Sequence, residues 1–113
     1  MKGHMAPNIA EAKLVGLRAS GERFDVTAAI GQPHRVGAEE WACPVSLSGL
    51  HRGLPDIHGS SSLQALCLAA SLLRELLTSF VQEGGRLLYE DGSEPFDISS
   101  CFSRVGWSGD GSI

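Results

Sequence analysis

Residues 61 to 83 carry the feature that most constrains this chain, a helical pattern that is apolar on nearly every side. Ser61 followed by Gln64 matches a capping box, in which a hydroxyl and an amide side chain satisfy orphan backbone donors of the first turn. Gly84-Gly85 supplies a left-handed stop. Between these signals Leu63, Leu66, Cys67, Ala70, Leu73, Leu77, Phe80 and Val81 recur at three-and-four spacing. A second line, Ala65, Leu68, Ala69, Leu72 and Leu76, widens the apolar surface and leaves Gln64, Ser71, Arg74, Glu75, Thr78 and Gln82 as a narrow polar strip. One sheet face covers only part of such a cylinder. The helix therefore calls for a second partner, either the C-terminal segment or another copy of the chain. The run from Leu63 to Leu73 is closed by Arg74 and Glu75 and is shorter than the roughly 20 residues of a bilayer span, so no membrane segment is expected.

Strands are expected before the helix. Residues 9–18 alternate loosely and end at the turn cluster Ala19-Ser20-Gly21-Glu22. From Arg23 to Ile30 the alternation sharpens, with Phe24, Val26, Ala28 and Ile30 on one side. Gly31-Gln32-Pro33-His34 interrupts it, because Pro33 removes a ladder donor and Gly31 admits unusual dihedrals. Residues 40–48 read as a third strand with Trp41, Cys43, Val45 and Leu47 inward, and Pro44 places that strand at an edge or bulge. Residues 49–60 have no periodicity and read as a long loop. Arg86 to Tyr89 reads as a short strand, and 90–95 as an acidic turn. Short turns make an antiparallel meander the default. The expected fold is α+β, a three- to four-stranded antiparallel sheet packed against the helix.

The chain has 113 residues, enough for one domain and one core. Met1 to His4 read as a vector-derived leader, and residues 5–113 as a single domain whose tail docks loosely from about 96. A net charge of -4 with no basic stripe disfavours nucleic acid. The three cysteines, Cys43, Cys67 and Cys101, form no C-x-x-C pair, which argues against a disulfide framework and for a cytoplasmic chain with free thiols. Cys43 and Cys67 fall at apolar positions, where cysteine is usually a small buried hydrophobe.

The candidate chemistry is sparse. His51, Asp56 and His58 in the long loop, with Cys43 nearby, are residue types that zinc accepts, but two histidines within one loop at this spacing match no zinc pattern. They read as ordinary polar loop residues, and no metal or cofactor is expected. Cys43 or Cys101 beside His34 or His58 would be needed for a thiol nucleophile, and no surrounding motif supports one. The 14 glycines assemble no phosphate-binding loop. Trp41, His34 and Pro33 are placed to line a small apolar pocket, for which a core role of Trp41 is the competing account.

The strings I-G-Q-P at 30–33, W-A-C-P-V-S-L-S-G-L at 41–50 and G-S-S-S-L-Q-A-L at 59–66 resemble a family of small uncharacterised bacterial domains. In that family an antiparallel meander precedes one long helix, and some members lie on integron gene cassettes. The resemblance covers roughly residues 9–90 and implies no activity, so it assigns no residue a catalytic role. Three functions remain open. The first is a non-enzymatic interaction module acting as a homo-oligomer through the excess apolar surface of the helix. The second is a small-molecule binding protein with a pocket between helix and sheet lined by Trp41, Leu50, Ile57 and Leu63. The third is a small enzyme using His51 or His58 with Asp56.

Overall fold

The computed structural model describes residues 7–103, so Met1–His4, read above as a leader, and the tail residues Val105 and Trp107 lie outside the described residues. The elements run β1 (Asn8–Leu17), β2 (Arg23–Gly31), β3 (His34–Gly37), β4 (Glu40–Cys43), β5 (Val45–Ser48), β6 (Ile57–Gly59), α1 (Ser62–Gln82), β7 (Arg86–Tyr89) and α2 (Ile98–Cys101). The class is α+β, with a four-stranded antiparallel sheet in the order β5-β2-β1-β7. A second sheet, β3-β4-β6, is one the sequence pattern does not announce.

The expected third strand at 40–48 is two strands belonging to different sheets. β2 and β3 form one arm of a long hairpin, and β4 and β5 form the other. β2 pairs with β5 through Ile30 opposite Val45, and β3 pairs with β4 through His34 opposite Ala42. Pro33 and Pro44 have no N–H to give the ladder, so regular pairing stops between these two rungs. One bond survives there, from the Gly31 N–H to the Pro44 carbonyl at 2.8 Å. The stretch read as a loop at 49–60 likewise holds β6, which pairs with β4 through Ala42 opposite His58. Its three residues are too few to register as an alternating pattern.

The helix stands as expected, and its two ends explain why. The Ser61 hydroxyl accepts from the Gln64 N–H at 3.0 Å. The Gln64 side chain returns to the N–H of Ser60 at 2.6 Å, one residue earlier than a standard capping box requires. At the other end Gly85 N–H reaches the Phe80 carbonyl and Gly84 N–H the Val81 carbonyl, a Schellman closure with Gly84 at φ +103°.

Its buried stripe is Ala65, Ala69, Leu73 and Leu77, set at intervals of four. These meet Leu14, Val26, Ala28, Ile30, Cys43, Val45, Leu47 and Leu87 in one core that spans both sheets. Leu47 and Leu77 are almost fully buried, each worth about 1.5–3 kcal/mol over leaving it in water. The small residues come first along the stripe because the helix starts tight against β6. A Cβ on Gly59 would stand 2.7 Å from the Ala65 amide nitrogen.

Contrary to the apolar pattern, Leu63, Cys67 and Val81 are exposed, and so is Leu68. A stripe of four narrow contacts seats only one side of the cylinder. By length and composition α1 is also apolar enough to cross a membrane, yet here that stripe lies on the sheets.

Part of the remaining surface is covered from within the chain. Residues 94–96 turn back along β7, with the Tyr89 N–H bonded to the Glu94 carbonyl and the Phe96 N–H to the Leu87 carbonyl. Phe96, Ile98 and Phe102 are partly buried against the core. α2, capped by Asp97, rests beside the half of α1 that carries Arg74, Thr78 and Gln82.

Candidate functional site

The division of the hairpin decides which side chains can meet. Side chains at paired positions point to the same face, and neighbours along a strand point to opposite faces. On the three-stranded sheet Cys43, Trp41 and Ile57 face α1, and all three join or pack against the core. Leu50, just after β5, also packs there, whereas Leu63 is 67% exposed. Of the four pocket candidates, three are therefore packing residues and the fourth stands in solvent. None of them lines the three clefts described here.

The outer face of the same sheet carries His34, Ala42 and His58 in one row, since His34 and His58 are both paired with Ala42. Trp41 and His34 thus lie on opposite faces and cannot line one pocket, although Pro33 and His34 do share a cleft. Glu40, two residues before Ala42, reaches His58: its Oε2 lies 2.6 Å from Nδ1. An ionised carboxylate only accepts, so Nδ1 carries a proton, and in the neutral ring Nε2 is then the nitrogen with the lone pair.

The largest of these three clefts, about 730 Å³, opens on the side away from α1 where the two sheets diverge. Ala29, Gly31 and Val45 form its buried floor, and Pro33 and Pro44 give it rigid rims. Asn8, Gln32, His34, Ser46 and Asp56 bring polar groups to its walls. Its volume falls in the range of small-ligand sites. His51 lies elsewhere, in a shallower cleft of about 380 Å³ with Ser46, Arg52 and Leu54. The loop residues His51, Asp56 and His58 are thus not gathered. Asp56 joins His34 in the large cleft, and His58 joins Glu40.

Glu40, Asn8 and Gln32 are site residues that sequence reasoning missed. Register alone could have found Glu40, and register becomes readable only once β6 is known to be a strand.

Cys43 does not suit a nucleophile. Its thiol is fully buried and contacts the Gly31 carbonyl at 3.5 Å. Burial first, and the negative charge of Asp56 second, push its pKa above the ordinary thiol value, which keeps it protonated. Cys67 and Cys101 are exposed free thiols. For Cys67 this corrects the expectation of a buried position, because it sits nearly opposite the Ala69 stripe around the helix.

No curated protein and no solved structure was found to match the chain. A family model described as a domain of unknown function, DUF6968, matches residues 13–98, from β1 to the start of α2. This agrees with the uncharacterised family that the strings at 30–33, 41–50 and 59–66 resemble, and its description names no activity. With three quarters of its length inside that match, the chain belongs to the DUF6968 family.

Proposed function

We propose that the protein is a non-enzymatic interaction module that works as a homodimer, with the N-terminal half of α1 as its contact surface. The observation that carries this reading is the exposure of Leu63 and Leu68, 67% and 44%, with Cys67 exposed beside them. Leu72, one turn beyond Leu68, is only half-buried. Among the described residues α2 flanks only the other half of the helix. Leu63 with Cys67 on one side of Gln64 and Ser71, and Leu68 with Leu72 on the other, give one solvent-facing surface, and a two-fold contact lets that surface cover its own copy. Two exposed free thiols fit a reducing, cytoplasmic compartment. Light scattering coupled to size exclusion at micromolar concentration tests the reading. A mass of two chains is expected, and a clean monomer overturns it.

A second reading, small-molecule binding, is favoured by the cleft at the Gly31–Pro44 junction. Its apolar floor and its polar walls of Asn8, Gln32 and Asp56 suit a small amphiphilic ligand. A thermal-shift screen in which no compound raises the melting temperature counts against it.

A further inference from the structure

We propose that His34 and His58 form a transition-metal site on the outer face of the three-stranded sheet, of the imidazole type that takes Zn²⁺, with Glu40 positioning His58. The inference is independent of the dimer reading. Both histidines are paired with Ala42, one from each side, so they share a face and stand two strands apart. In an antiparallel sheet one of these two pairs is hydrogen-bonded and the other is not, which puts the histidine Cα atoms about 10 Å apart. Ala42, buried itself, is the residue between them in the row.

That spacing is the one two imidazoles need. A metal–nitrogen bond of about 2 Å plus the length of the ring sets each Cβ about 6 Å from a metal bound at Nε2, and at the tetrahedral angle the two Cβ atoms are then about 10 Å apart. The second observation is the Glu40–His58 contact, Nδ1 to Oε2 at 2.6 Å. A carboxylate on Nδ1 fixes the tautomer that frees Nε2, and it is the usual outer partner of a metal-binding histidine. The pair has little to do for stability, since its side chains are 52% and 55% exposed. Among the described residues no group of three His, Cys, Asp or Glu side chains is gathered. Two nitrogens and two waters would therefore complete the coordination.

The test is calorimetric titration of ZnCl₂ into the chain carrying Cys67→Ser and Cys101→Ser, which removes the exposed thiols that bind zinc by themselves. One Zn²⁺ per chain is expected. His34→Gln and His58→Gln should each weaken binding at least tenfold, Glu40→Gln about tenfold, and His51→Gln should leave it unchanged. All four residues are exposed, so far-UV circular dichroism should report the same fold for each variant. Absence of zinc binding in the chain that lacks the two exposed thiols overturns the proposal, as does unchanged affinity in either the His34 or the His58 variant.

Discussion

The Gly31 amide donates to the Pro44 carbonyl at 2.8 Å, at the point where one hairpin passes from the four-stranded sheet into the three-stranded one. A Cβ on Gly31 would stand 2.9 Å from that of Pro44, so this approach depends on glycine. The bend opens the large cleft on one side. On the other it lets β4 and β6 fold over the start of α1, where Gly59 makes the second close approach.

Gly59→Ala should destabilise the protein by about 1–3 kcal/mol, as overpacking does. The added methyl meets backbone atoms of Gln64 and Ala65, which cannot swing aside as a side chain would. Urea unfolding should show a lowered midpoint with an unchanged slope.

The two caps of α1 should act separately. Ser61→Ala removes the acceptor for the Gln64 N–H and should cost about 1 kcal/mol. Gly84→Ala places a side chain at φ +103° and should cost about 1–2 kcal/mol. The sites lie at opposite ends of the helix, so the double variant should lose the sum to within about 0.5 kcal/mol. Thermal unfolding of the three variants checks this.

The cysteines should divide two to one toward a thiol reagent. Cys67 and Cys101 should react at once in the folded protein, and Cys43 only after denaturant is added. Burial raises the Cys43 pKa, so the folded state holds a proton that the unfolded chain releases near the ordinary thiol value of about 8.5. Its contribution to stability is therefore complete below that pH and is lost as the pH rises toward the raised value. Denaturant titrations at neutral and alkaline pH should show the decline, and Cys43→Ala should remove that part of it.

Leu63→Ser and Leu68→Ser change side chains that the folded chain leaves in water. Each should shift the protein toward monomer by light scattering and leave the unfolding midpoint, measured at a concentration where the parent is already monomeric, within about 0.5 kcal/mol. Leu77→Ala, on the buried stripe of the same helix, should instead cost about 2–5 kcal/mol.

Much of this fold is local and could be read from local pattern. The α1 helix declares itself through Ser61, Gln64 and Gly84-Gly85, because caps act within a few residues of their own backbone. β2 declares itself by alternation, and so does the inward set Cys43, Val45 and Leu47. The class and an antiparallel sheet follow from these, but not the place of β7 beside β1.

What sequence could not supply is every feature that depends on pairing at a distance. Four residues in β3 and three in β6 are too short to show a period, so the second sheet was not legible, and with it the row His34–Ala42–His58 and the Glu40 contact. The circumference of α1 was equally ambiguous. Composition marked it apolar all round, but only the tertiary structure chose Ala65, Ala69, Leu73 and Leu77 for the core and left Leu63, Cys67 and Leu68 outside. Hydrophobicity is a property each residue carries with it. Burial is a property of the space between elements, and here the close approach at Gly59 and the bend at Pro44 set that space.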